Sequence, residues 1–375
     1  MRVSAVPGKL TPMPARRSDL LRLRRLAQAI DGPRESDVTS VARRMLALQG
    51  QDFAAGCWAL ALRTTGAAQS DVLAALDAGR IIRSWPMRGT LHFVPPEDLR
   101  WILSVTTDRI VAGLARRQQQ LELTAADFTR AADIVTAALT GGGSIGRAEV
   151  MQLWEDAGIA TTGQRGYHLI YYLAQTGLLC WGPVVRAGNG NPTQALVLLD
   201  EWAPAPPALE PDEAVAQFLL RYLQGHGPAT VKDFVWWTKG TVAGAKTARA
   251  VLGDALTTLE VDGVEYLLTA ELADRAASTP PTRGEKDAVH LLPGFDEYLL
   301  GYQDRSPILD EGHWELIVPG NNGIFQPIIV ADGRVVGTWR RDGGRVTPLP
   351  FAPLSTAREA QLQRSVRAYT AYAAG

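Results

Sequence analysis

Apolar positions recur at helical spacing along most of the chain, in runs broken by Gly, Pro and polar turn residues. The pattern is clearest mid-chain. There it predicts a helix over 125–139, stopped by Gly141-Gly142-Gly143, and a second over 147–157 with Val150, Met151 and Trp154 on one face. A third helix, over 164–175, stops at Gly177. It leads into apolar 178–181, a turn at Gly188-Asn189-Gly190-Asn191-Pro192 and a strand over 195–199. Three helices followed by a hairpin is the plan of a winged helix-turn-helix.

The plan repeats after a Pro-rich break at 202–207. Helices over 212–224, 231–238 and 241–255 precede strands over 258–261 and 264–268. Asp262-Gly263 between those strands suits a tight hairpin turn. A looser copy precedes both, with helices over 19–30, 37–48 and 70–78, strands over 81–85 and 90–94, and residues 50–65 as an insertion. A second break at 278–284 opens a different region. Its short strands fall at 289–292, 314–318, 323–330 and 334–339, and a last helix spans 356–373. The expectation is an α+β, mainly α fold: winged-helix units over 1–122, 123–202 and 203–277, then a β-rich C-terminal region over 285–375.

Charge narrows the function. The 375 residues carry 38 Lys and Arg against 39 Asp and Glu, so no global basicity advertises a polyanion partner. A nucleic-acid surface must then be local. Residues 1–50 hold ten basic residues (Arg2, Lys9, Arg16, Arg17, Arg22, Arg24, Arg25, Arg34, Arg43, Arg44) against four acids, an excess of six. Only Lys9, Lys232, Lys239, Lys246 and Lys286 are lysines, and the arginine bias suits forked phosphate contacts. Cys57 and Cys180 have neither metal nor disulfide spacing, which predicts a reduced, cytoplasmic chain without a structural zinc. No leader-like segment opens the sequence and no apolar run is long enough to span a bilayer, so no membrane partner is expected.

No P-loop, GxSxG, HExxH or paired-Cys site occurs, and His92, His168, His226, His290 and His313 are scattered. What remains is Gln49-Gly50-Gln51-Asp52, at the end of the helix over 37–48. Taken alone, these residues read most simply as a polar helix cap. Amides take no proton at neutral pH, but two of them fix a water and turn carbonyl dipoles toward a developing cation. That limited chemistry suffices where the leaving group is already activated. An N7-alkylated guanine is positively charged, and breaking its glycosidic bond needs only a stabilised oxocarbenium-like sugar and a placed water.

Other segments suit DNA contact. Arg88 and His92 lie in Arg88-Gly89-Thr90-Leu91-His92 of the first wing, and Gln164 and Arg165 open a helix whose free amides can meet phosphate. Asn321 and Asn322 tip an expected hairpin over 319–325. Asp296 and Glu297 lack the spacing of a metal-assisted carboxylate pair and are expected in an internal ion pair with Arg305.

Five segments together resemble the bacterial winged-helix DNA glycosylases of the AlkZ and YcaQ type. They are Leu48-Gln49-Gly50-Gln51-Asp52, Met87-Arg88-Gly89-Thr90-Leu91-His92, Leu292-Pro293-Gly294-Phe295-Asp296, Gly301-Tyr302-Gln303-Asp304-Arg305 and Asn322-Gly323-Ile324-Phe325. The resemblance runs in order from about residue 19 to 339. It implies three tandem winged helices in a C-shape around DNA, a QxQ catalytic pair matched by Gln49 and Gln51, and a hairpin near the lesion. The residue between the glutamines is usually aliphatic in the family and is Gly50 here. Ending the motif in Gln rather than Asp aligns the chain with members tied to self-resistance in antibiotic producers.

The sequence is thus read as a monomeric, cofactor-free and metal-free glycosylase acting on duplex DNA that carries cationic N7-alkylpurines, interstrand crosslinks included. It is expected to be monofunctional, because Schiff-base chemistry needs an activated amine and no lysine lies near the glutamine pair in sequence. The rivals are a non-catalytic winged-helix regulator and a protein that shields adducts without excising them.

Overall fold

The computed structural model describes residues 13–186, 192–203, 208–280, 287–342 and 344–375. Turn residues 188–191, break residues 204–207 and 281–284, and the basic residues Arg2, Lys9 and Lys286 lie outside the described residues. The fold mixes helices with small, mostly antiparallel sheets. It divides into two compact units, one of residues 1–72 with 211–375 and one of 73–210. This division runs across the segments expected from sequence: 1–72 cluster with the C-terminal residues, whereas 73–122 join the residues that follow them.

In the unit of 73–210, Ile82–Met87 and Thr90–Val94 form an antiparallel hairpin. Its first strand meets Leu179–Val185 with Arg83 opposite Trp181, and that strand pairs with Thr193–Leu198. The helices Ala125–Leu139, Arg147–Asp156 and Arg165–Gln175 stand where the periodicity places them. Thr124 and Asp127 close a reciprocal cap that fixes the first start. The helix Pro96–Gly113 was not anticipated, although its Pro at the first position and Glu97 and Asp98 in the first turn are start signals. Trp85, Phe128, Val135, Val150, Trp154, Leu169, Ile170 and Trp181 make one apolar core.

In the other unit, Pro211–His226, Val231–Thr238 and Val242–Leu252 precede the hairpin of Leu256–Val261 and Val264–Thr269. Asp262 and Gly263 both take positive φ (51° and 76°), as a tight hairpin turn demands. The stretch expected as an insertion folds as the helix Phe53–Ala61. Arg17–Ala27 and Val38–Met45 precede it. A Cβ on Gly225 would sit 2.7 Å from the Arg44 carbonyl oxygen and 3.0 Å from the Met45 Cα. Only glycine therefore lets the helix Pro211–His226 close on the end of Val38–Met45, four residues before Gln49.

The C-terminal sheet orders Val289–Leu292, Ile328–Ala331, Arg334–Asp342 and Arg345–Pro350 side by side, all antiparallel. Two expected strands are corrected: Trp314–Ile317 is a short helix, and the strand expected over 323–330 is confined to Ile328–Ala331. Pro319–Asn321 between them is a turn, as expected, with Gly320 and Asn321 at left-handed φ (59° and 51°). The last helix, Thr356–Ala374, is capped by Ser355 and sets Tyr369 and Tyr372 against the Trp58 ring at 5.0 and 4.9 Å. Among the described residues no helix is long and apolar enough to cross a membrane.

Candidate active site

The helix Val38–Met45 ends abruptly, since Leu46 sits at φ 62° and breaks its hydrogen-bond ladder. Leu48–Gln49 then run extended, and the next helix begins when the Asp52 carboxylate accepts the Ala55 N–H at 3.0 Å. The glutamine pair thus lies in a short connection between two helices instead of capping one. Gln49 is 9% exposed, and its Oε1 is buried with no hydrogen-bond partner. Gln51, two residues on, is exposed.

A fully buried carboxylate holds this connection from behind. Glu297 Oε1 accepts the Gln49 backbone N–H at 3.3 Å. Its Oε2 accepts from Trp237 Nε1 at 2.8 Å and lies 3.2 Å from His226 Nε2. The His226 ring stacks on Tyr222, centroids 4.9 Å apart. A Cβ on Gly301 would fall 2.5 Å from His226 Cδ2, so the close approach there requires glycine.

Glu297 is fixed in turn by its neighbour. Asp296 caps the helix Glu297–Leu300 and takes both terminal nitrogens of Arg63, at 2.8 and 2.9 Å. Arg63 also donates to the Gln28 and Ala59 carbonyls and to Gln28 Oε1, which uses its whole donor fork. The ion pair expected between the 296–297 acids and Arg305 is therefore corrected to Arg63–Asp296. Arg305 donates to the Leu299 carbonyl and lies over the Trp236, Trp314 and Phe325 rings. The 301–305 segment belongs to the same framework. Tyr302 Oη donates to the His226 carbonyl at 2.8 Å, and the Gln303 N–H donates to Asp233. Burial pushes the Tyr298 phenol up to about 12 and Tyr222 and Tyr302 well above their ordinary range, so all three stay neutral donors.

Only part of the N-terminal basic excess lies at the surface. Arg24 and Arg25 are buried, the first over the Tyr302 ring at 3.7 Å and 3.9 Å from Asp233, the second paired with Asp31. Arg44 pairs with Glu35, and Arg22 donates to the Thr279 carbonyl. Four of the described N-terminal arginines thus meet internal acceptors, and Arg16, Arg17, Arg34 and Arg43 remain exposed.

The remaining expected DNA contacts scatter. In the unit of 73–210, His92 has no exposed surface; its Nδ1 lies 2.8 Å from the Thr90 carbonyl and its Nε2 2.8 Å from an Arg88 nitrogen. Arg88 is half-buried. Gln164 is exposed in a left-handed conformation and accepts from Arg117 at 3.4 Å. Arg165 donates to the Ala160, Leu121 and Glu122 carbonyls, which makes it a tether of its own helix start. Gly89, Arg117, Leu121, Gln164, Tyr167, His168 and Tyr171 line one open cavity of about 260 Å³. Burial, and secondarily the Arg117 charge, lower the His168 pKa. In the other unit, Asn321 and Asn322 are exposed as expected, but on a compact turn: Asn321 Oδ1 accepts the Trp314 indole N–H and Asn322 Oδ1 the Ile324 N–H.

Sequence reading missed Arg63, His226, Trp237 and the role of Glu297. One signal was available, since two adjacent acids between apolar Leu291-Leu292 and Tyr298-Leu299-Leu300 point to buried charge that needs partners. Among the described residues no group of three or more His, Cys, Asp or Glu is placed to hold a metal.

Comparison with known proteins gives one consistent result. The AlkZ-like DNA glycosylase family matches residues 42–372. A Streptomyces sahachiroi protein described as an interstrand DNA cross-link repair glycosylase is 28% identical over 335 residues, covering 85% of each chain. The solved structure of the Streptomyces sahachiroi DNA glycosylase AlkZ superposes with a TM-score of 0.80 at 24% identity, over 96% of this chain and 97% of the other. The chain belongs to the AlkZ-like DNA glycosylases, hydrolases that act on N-glycosyl bonds.

Proposed function

We propose that this glycosylase excises cationic N7-alkylpurines from duplex DNA, interstrand crosslinks included, as a metal-free monofunctional enzyme acting as a monomer in repair or self-resistance. The observation that carries the reading is the Gln49 carboxamide, whose oxygen is buried without a partner on a backbone anchored to a buried carboxylate. Leaving such an acceptor unsatisfied costs about 1–3 kcal/mol, and a partner supplied by the substrate would relieve that cost. In this reading the Gln49 oxygen turns its dipole toward the sugar cation as the glycosidic bond lengthens. The exposed Gln51 places the water that captures that cation, and the proton released from the water passes to bulk solvent. No acid is needed, because the alkylated purine departs as a neutral base.

The relative described as a crosslink repair glycosylase supports the extension to crosslinks. The helix–helix–helix–hairpin segments are assigned to winged-helix contacts with DNA. Arg88, Gln164, Asn321 and Asn322 remain the proposed contact residues, while His92 and Arg165 act by holding Arg88 and a helix start.

The test is incubation with duplex DNA bearing a single N7-methylguanine, followed by mass spectrometry of the small-molecule fraction. Release of free N7-methylguanine with both strands unbroken is expected. Binding without release, or strand scission at a preformed abasic site without alkali, contradicts the proposal.

A further inference from the structure

We infer that Glu297 is a positioning residue for excision: through Trp237 and His226 it fixes the backbone of Gln49, and with it the direction of the catalytic carboxamide. The inference rests on Gln49 being catalytic and goes one step behind it. Leu48–Gln49 is a two-residue strand at the edge of its sheet and follows a helix broken at Leu46, so strand pairing meets it on one side only. The Gln49 N–H to Glu297 contact spans 248 residues of sequence and ties that connection to the Asp296-capped start of another helix.

The choice of acid there is informative. A fully buried carboxylate is expensive unless each oxygen is met by donors. Glu297 has a donor on Oε1 from Gln49, and on Oε2 one from Trp237 with the His226 ring nitrogen beside it. Trp237 comes from Val231–Thr238 and His226 from Pro211–His226, so three helices converge on one anion. Apolar residues of equal volume would pack that centre at less cost in charge burial. They would not orient a single peptide N–H. Displacing a reacting group by about 1 Å costs about a hundredfold in rate, so the anchor acts on the chemical step without touching DNA.

The experiment compares wild type with Gln49→Ala, Trp237→Phe, Glu297→Gln and the two double variants that include Gln49→Ala. Excision of N7-methylguanine is followed with enzyme in excess over DNA, beside DNA affinity and thermal midpoint. Trp237→Phe keeps the ring and removes one N–H, and it carries the test should Glu297→Gln not fold. Glu297→Gln puts an amide N–H against a donor. Each is expected to lower the saturating single-turnover rate about tenfold to a hundredfold with affinity changed less than about twofold. On the Gln49→Ala background each is expected to add less than about twofold, the signature of action through one residue. Wild-type rates in Trp237→Phe and Glu297→Gln beside a slow Gln49→Ala overturn the inference and leave the active-site reading standing. Losses that multiply with Gln49→Ala, or that appear as lost affinity, also overturn it. A wild-type rate in Gln49→Ala overturns both.

Discussion

Both units have apolar cores, and they differ in what is buried beside them. The core of residues 73–210 is apolar and aromatic, with Trp85, Trp154, Phe128 and Trp181 packed among aliphatic side chains. Behind Gln49, the other unit buries whole charges: Arg63 with Asp296, Arg24 near Asp233, and Glu297 among Trp237, His226 and Gln49. Apolar packing gives stability at small cost and tolerates volume-conserving exchange. Buried charge gives little net stability, but breaking one partner is severe. A buried polar cluster is therefore a poor way to add stability and a good way to hold one backbone group in one place. In this unit it stands directly behind the proposed catalytic amide.

The comparison breaks most visibly at Arg63. Arg63→Met leaves Asp296 buried and unpaired, and it should cost about 3–5 kcal/mol in urea unfolding. Trp154→Ala in the apolar core should cost a similar 3–5 kcal/mol. The two should separate in catalysis: per folded molecule, Arg63→Met slows base release whereas Trp154→Ala does not. Equal slowing would erase the distinction between the cores.

An acid titration sharpens it further. Asp31 is buried, which by itself raises a carboxyl pKa, but the hydrogen bond and charge of His290 and the Arg25 guanidinium outweigh burial and hold it at about 2. Because the folded pKa lies below the unfolded one, Asp31 contributes stability above about pH 4 and loses it as pH falls through about 2. The contribution is about 2 kcal/mol. Asp31→Asn should be less stable than wild type at pH 6, and the gap should close towards pH 2. A gap independent of pH would remove the ion pair from the account.

The smallest expected effect concerns DNA contact in the unit of residues 73–210. Affinity for undamaged duplex should fall steeply between about 50 and 200 mM salt despite the net charge of −1. Arg88→Ala should reduce the log–log slope by about one. An unchanged slope would remove Arg88 from the phosphate-contacting set.

Local signals carried much of the fold. Ala125–Leu139 and Val231–Thr238 follow from periodicity with a Thr–Asp cap, and the Asp262-Gly263 turn from its dipeptide. Helix Phe53–Ala61 was hidden because it is apolar nearly all round, which gives no stripe to read. The segment 314–318 misled because its short apolar run reads as a strand but folds as one helical turn leading into the left-handed turn at Gly320 and Asn321. At the site, Gln49 and Gln51 were legible as a pair of amides with no other machinery nearby. The framework behind them was not, since Arg63 and Asp296 stand 233 residues apart and Gln49 and Glu297 stand 248 apart. Charge density misled at the N-terminus for the same reason, because a linear count does not show which arginines fold inward.

The most direct test of the account is the single-turnover release of N7-methylguanine from duplex DNA by Gln49→Ala and Gln51→Ala, read by mass spectrometry of the free base. The account predicts a loss of about one to three orders of magnitude for each variant, as removal of a dipole stabilising the transition state produces, with thermal midpoint and DNA affinity near wild type. Undiminished release by the double variant would contradict it and move the chemistry away from the glutamine pair.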